Sequence, residues 1–106
     1  MAFCNICHYD TIEEEFDICP VCFWEHEDIP ESEFGKATGG PNADLSVITG
    51  RENFKKFGAT QKRLLAYVVP PKRDWKHAAD AESREVISKR QEAARARHGI
   101  KAEKLG

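Results

Sequence analysis

Four cysteines carry the clearest chemistry in this chain, set in two identically spaced pairs: Cys4-Asn5-Ile6-Cys7 and Cys19-Pro20-Val21-Cys22. There are no others. A C-x-x-C turn aims two sulfurs at one point, and two such turns facing each other make a tetrahedron of thiolates suited to one metal ion. The arm between the pairs, His8 to Ile18, has 11 residues. That is shorter than the usual ribbon spacing of about 15–20 but long enough for two short strands and a turn. The expected cofactor is one zinc ion on Cys4, Cys7, Cys19 and Cys22. Iron in a rubredoxin-like site is the less favoured alternative, because four thiolates suit both metals.

Other uses of the same cysteines fit less well. Disulfides belong to oxidising compartments, and Met1-Ala2-Phe3-Cys4 does not read as a secretory signal. A redox C-x-x-C needs one pair in a strand–helix context. Cys4-Asn5-Ile6-Cys7-His8 matches the covalent haem pattern, but that reading leaves the second pair without a purpose. The expected compartment is the cytoplasm.

An enzyme could hide at Glu25-His26-Glu27-Asp28, where a histidine sits between carboxylates. Nothing nearby offers a nucleophile with a matched base, and such a run on a loop is a solvated acidic edge more often than an active site. Gly39-Gly40-Pro41-Asn42 is a turn cluster without phosphate-loop spacing. No catalytic residue is assigned, and a non-enzymatic protein is expected.

Charge is distributed unevenly along the 106 residues. Residues 1–35 contain no Lys or Arg and carry Asp10, Glu13, Glu14, Glu15, Asp17, Glu25, Glu27, Asp28, Glu31 and Glu33. All 16 basic residues lie from Lys36 onward, so the net charge of −2 conceals two opposite halves. Four thiolates on a divalent cation would make the first half more acidic still. Such a surface repels nucleic acid, whose binding rests on Lys and Arg contacts to phosphate, and suits a basic protein partner. Glu13, Glu14, Glu15, Asp17, Glu25, Glu27, Asp28, Glu31 and Glu33 are therefore the candidate partner-binding residues. No run approaches the 18 or so apolar residues of a membrane span.

The elements expected to position these groups are small. Thr11-Ile12 and Phe16-Asp17-Ile18 read as strands with Glu13-Glu14-Glu15 as the tip between them. Phe3, Tyr9, Phe16, Phe23 and Trp24 read as a small aromatic core around the sulfurs. Leu45–Phe57 reads as a helix, capped by Asp44 or Asn42 and closed by Gly58. Val47, Gly50, Phe54 and Phe57 share one face, where Gly50 permits close packing on the ribbon. Thr60 reads as the cap of a second, shorter helix over residues 61–66. Pro70-Pro71 follows, and Val68, Val69 and Trp75 are expected to cover the core. A polar helix from about Ala78 to Arg97 carries the pairs Asp80–Arg84 and Glu85–Lys89, with a thin stripe of Ala79, Val86, Ile87, Ala93 and Ala94. So polar a helix is either a projecting arm or a partner-binding element, and residues after Gly99 should fray. The fold class is α+β: a zinc-ribbon-like β module (with its domain at 1–75) packed against two or three helices, and residues 76–106 as an appendage.

Several motifs in order resemble the CPCC family of cysteine-rich bacterial proteins: Cys4-x-x-Cys7, Ile18-Cys19-Pro20-Val21-Cys22-Phe23-Trp24-Glu25, Gly40-Pro41-Asn42, Leu45-Ser46, Arg51-Glu52-Asn53-Phe54, Phe57-Gly58-Ala59 and Val69-Pro70-Pro71. The likeness covers roughly residues 3–75 and stops short of the C-terminal helix. The chain departs from the name-giving motif, which here is Cys4-Asn5-Ile6-Cys7, with His8 where a Gly is usual. The resemblance implies a small bacterial zinc protein without an agreed biochemical activity. The functional expectation is recognition of a protein through the acidic surface, most concretely as an immunity protein covering a basic toxin domain. A nucleic-acid-binding regulator using Lys55, Lys56, Lys62, Arg63, Lys72, Arg73 and the helix arginines is the alternative, and a rubredoxin-like electron carrier a further one.

Overall fold

The structure is a computed structural model that describes residues 2–37, 40 and 42–103. Gly39 and Pro41 of the turn cluster, and the last three residues of the chain, lie outside the described residues. The architecture is α+β. A two-stranded antiparallel sheet, β1 (Ala2–Phe3) and β2 (Asp10–Ile12), flanks the first cysteine turn, and two helices follow, α1 (Val47–Phe57) and α2 (Arg84–His98). Ala2 pairs with Ile12 and Phe3 with Asp10.

Phe16-Asp17-Ile18 does not form the second expected strand. Phe16 takes the left-handed conformation at φ 71°, which breaks an extended run. The Asp17 carboxylate turns back and accepts the Glu13 and Glu14 N–H groups, both at 2.9 Å, so a side chain rather than a ladder shapes the acidic tip. A single bridge, Ile18 to Glu25, continues the pairing.

Both helix caps lie C-terminal to their expected places, by two residues or more at α1 and by one at the second helix. Ser46, extended at φ −82°, accepts the Thr49 N–H and caps α1. Asp44 cannot, because it sits at φ 64°. Asn42 is engaged elsewhere: its side-chain amide pairs with both backbone groups of Glu25, at 2.9 and 2.8 Å. Gly58 closes α1 in the left-handed conformation, as expected, at φ 88°. The second helix is a 3-10 segment over Lys62–Ala66, entered from Gln61. Thr60 is buried and gives both its N–H and its hydroxyl to the Cys22 carbonyl, so it does not cap that segment.

The C-terminal helix begins at Arg84, capped by Ser83, rather than near Ala78. Residues 76–78 are taken up as an edge beside the first cysteine turn. Asp10 N–H donates to Lys76 O, Ala78 N–H to His8 O, and Tyr9 bridges His77. Asp80 and Ala79 therefore precede the helix, and Asp80 and Arg84 form no ion pair. Ala93 is exposed and Val86 is 46 % exposed. The buried stripe is Ile87, Gln91 and Ala94, which packs the helix into the body instead of leaving it to project. From Ile100 to Glu103 the chain stays attached: Ile100 packs on the body, and Glu103 N–H donates to Ala66 O at 2.7 Å.

Two cores result. The larger surrounds the four cysteines with Ile6, Tyr9, Ile12, Val21, Trp24 and Val47, joined by Phe54 and Ile87. Ala59, Leu64, Leu65, Val68 and Ala94 form the smaller. Only Tyr9 and Trp24 of the expected aromatic core are buried. Phe3 and Phe16 are about half exposed, because β1 is an edge and Phe16 sits at the tip, and Phe23 stacks on Tyr67 at 5.6 Å. Val69 is also exposed.

Candidate metal centre

The two cysteine turns are built alike, fifteen residues apart. Cys4 N–H donates to Tyr9 O and His8 N–H to Cys4 O; in step, Cys19 N–H donates to Trp24 O and Phe23 N–H to Cys19 O. His8 and Phe23, each following the second cysteine of its turn, both adopt the left-handed conformation, at φ 66° and 65°. A side chain there costs about 1–2 kcal/mol. Two residues accept that cost in the same place because the turn must curl to aim both sulfurs inward. The next residue of each turn, Tyr9 or Trp24, is buried beneath it.

Facing each other, the turns bring the four sulfurs together, all within 4.8 Å of one another and all buried. Cys4 and Cys22 Sγ are 3.5 Å apart and Cys7 and Cys19 Sγ are 3.6 Å apart. A disulfide needs about 2.05 Å, and all four cysteines are free. Sulfurs at ~2.3 Å from a zinc ion stand about 3.8 Å from one another on the edges of a tetrahedron. The cluster therefore has the composition and the spacing to hold a metal ion, and the sequence expectation for Cys4, Cys7, Cys19 and Cys22 brings together one site.

Its electrostatics point the same way. Hydrogen bonding with Cys19 pushes the Cys7 thiol well up, and burial does the same to Cys22. At Cys19 burial opposes ionisation, but hydrogen bonds from Cys22, Cys4, Cys7 and Thr11 outweigh it and bring the thiol well below its ordinary range. Four thiolates so close and so dry require a cation between them.

Groups around the cluster fix the sulfurs' positions. Ile6 N–H approaches Cys4 Sγ at 3.4 Å and the Thr11 hydroxyl donates to Cys19 Sγ at 3.1 Å. Arg51 Nε donates to Asn5 O in the first turn at 2.7 Å. The second turn is clamped at every outward carbonyl: Val69 N–H on Pro20 O, Gln91 Nε2 on Val21 O, and Thr60 on Cys22 O. Sequence reasoning missed Thr11, Arg51, Thr60 and Gln91. Only the parallel between Cys4-x-x-Cys7-His8-Tyr9 and Cys19-x-x-Cys22-Phe23-Trp24 could have signalled that each turn presents the same carbonyls to be met.

His8 is half-buried, its Nε2 4.0 Å from Asp80, and burial lowers its pKa. The acidic candidates gather without forming a cluster of ligands. Phe16 N–H donates to His26 O and His26 N–H to Asp17 O, which lays Glu13–Asp17 beside Glu25–Asp28. Glu13, Glu14, Glu15, Asp28 and Glu31 are exposed, while Glu25, Glu27 and Glu33 are half-buried. Glu31–Glu33 forms a separate 3-10 turn. Asp17 is committed to its own loop, whose N–H donors lower its pKa. Among the described residues no helix is long and apolar enough to cross a membrane.

A profile of the family described as "Cysteine-rich CPCC" matches residues 2–74. No curated protein and no solved structure matches the chain.

Proposed function

The chain belongs to the cysteine-rich CPCC family, and on that footing we propose that it is a non-enzymatic protein that holds one zinc ion on Cys4, Cys7, Cys19 and Cys22 and uses the rigid module so formed to bind another protein. The observation that carries this reading is the pairing of Phe16 and Asp17 with His26. It joins two acidic segments into one surface and leaves Phe16 and Ile18, 55 and 50 % exposed, among the carboxylates. Apolar side chains ringed by charge of one sign suit a basic protein surface, the acids steering the encounter and the apolar groups burying area. In its most concrete form the protein is a bacterial immunity protein covering a basic toxin domain. The cytoplasm is its compartment in this reading, supported by the fit of unoxidised thiols to a reducing environment.

Affinity capture of binding proteins tests the proposal, with Phe16→Ser and the triple Glu13→Gln, Glu14→Gln, Glu15→Gln as controls. The expected result is a basic partner whose association slows with salt and with the amide substitutions. Affinity indifferent to both, or no partner, would sink it.

A second reading rests on one observation. Lys56 Nζ lies 5.3 Å from the centre of the Phe57 ring, which meets the His98 ring edge-on at 5.8 Å, so the basic last turn of α1 stands beside that of α2. Nucleic-acid binding there would show a steep dependence on salt in a gel-shift titration.

A further inference from the structure

Against the first cysteine turn, with Cys7 and His8 in its lining, lies a cavity of about 480 Å³ that is distinct from the acidic surface. Its volume falls in the range of small-ligand sites, about 300–1,000 Å³. Ile6, Ile48 and Phe54 give it an apolar wall, and Arg51 and Lys55, one helical turn apart on α1, bring two cations to it.

Arg51 is held rigidly. Its Nε donates to Asn5 O at 2.7 Å, and its guanidinium lies 5.0 Å from the centre of the Phe34 ring. Among the described residues its terminal nitrogens have no hydrogen-bond partner, so a fixed planar pair of donors is left free. The nearby carboxylates do not cancel it. Glu82 is bound in a two-pronged pair by Arg90, and the Asp80 side chain is 74 % exposed, where water screens it.

We propose that this cavity binds a small amphiphilic monoanion: an oxyanion head on Arg51 and Lys55, and an apolar body against Ile6, Ile48 and Phe54. Glu52 is exposed as Asp80 is, and water screens it in the same way. An apolar wall with one preorganised cation selects a carboxylate on a hydrophobic body over a bare inorganic ion.

Protein-observed NMR on the purified, metal-loaded full chain tests this with 3-phenylpropionate as probe, and with inorganic phosphate and phenethylamine as contrasts. Saturable shifts of the Ile6, Ile48, Arg51 and Phe54 amides by 3-phenylpropionate are expected, with little effect from either contrast. Arg51→Gln should weaken binding about tenfold or more. Because Arg51 also anchors Asn5, Lys55→Gln and Ile48→Glu, both at exposed positions, provide variants that leave the fold intact; each should weaken binding as well. No saturable shift, equal response to phosphate alone, or shifts unaffected by all three substitutions would overturn the proposal.

Discussion

Gln91 reaches from the middle of α2 to the second cysteine turn, its Nε2 2.9 Å from Val21 O. The same nitrogen lies 3.1 Å from Gly58 O, so one buried amide ties the C-terminal helix, the end of α1 and that turn together. Leucine would fill the space and leave both carbonyls dry and unpaired. Gln91→Leu is expected to lower stability by about 2 kcal/mol, read from denaturant unfolding of the metal-loaded protein. A variant as stable as the parent would mean that water serves these carbonyls.

Gly50 and Gly58 test the close approach of the helices. A Cβ at Gly50 would stand 2.9 Å from Ile6 Cδ1 and 3.0 Å from the Trp24 ring. Alanine gains about 1 kcal/mol of helix propensity, but overpacking against a buried indole costs about 1–3 kcal/mol. Gly50→Ala should therefore be destabilising, against its propensity. At Gly58 the Cβ would meet Gln91 at 2.5 Å and the φ of 88° is itself unfavourable to a side chain, so Gly58→Ala should be the more damaging of the two. Thermal melts of both variants compare them directly.

Removing the metal should unfold the module. Structural zinc contributes roughly 10–16 kcal/mol in small sites, comparable with the whole stability of a small domain, about 5–15 kcal/mol. Strong chelator, or Cys22→Ser, is expected to abolish the near-ultraviolet circular dichroism of Trp24. Elemental analysis of protein purified without chelator should find one zinc per chain in a colourless sample; a red sample would indicate iron.

The Glu82–Arg90 pair supplies a pH dependence of known sign. The hydrogen bonds from Arg90 hold the Glu82 carboxyl below its ordinary range, with burial opposing. A carboxylate whose pKa is depressed in the folded state adds stability above its unfolded pKa of about 4.3, and that contribution disappears as pH falls through the folded value. Solvent screening limits the stability difference between the parent and Glu82→Gln to about 1 kcal/mol or less at neutral pH, and it should shrink toward zero in acid. Taking the difference removes the acid lability of the metal site, common to both proteins. A difference that stays constant with pH would show that the pair contributes by packing alone.

The amino-acid sequence by itself determined the four cysteines of the candidate metal centre, because a C-x-x-C turn is a local geometry that two intervening residues suffice to specify. It also determined α1 and its glycine stop, since the apolar period and the αL preference of glycine both act within a few residues. The α+β class follows from the same local signals. What surrounds the sulfurs was decided only by the tertiary structure. Asn42 and Thr60 have the residue types of helix caps, yet they meet the backbone of Glu25 and Cys22, carbonyls and amides brought to them from distant parts of the chain. Phe16 has the type of a core residue but stands at a solvent-exposed tip, because Asp17 closes the loop beneath it. The polar α2 reads from the sequence as a projecting arm or a partner-binding element, yet it packs on the body through Ile87, Gln91 and Ala94, and the Gln91 amide is worth burying only where unpaired carbonyls await it. Such matches between a donor and an acceptor 70 residues away leave no period or spacing in the chain, so folding alone creates them.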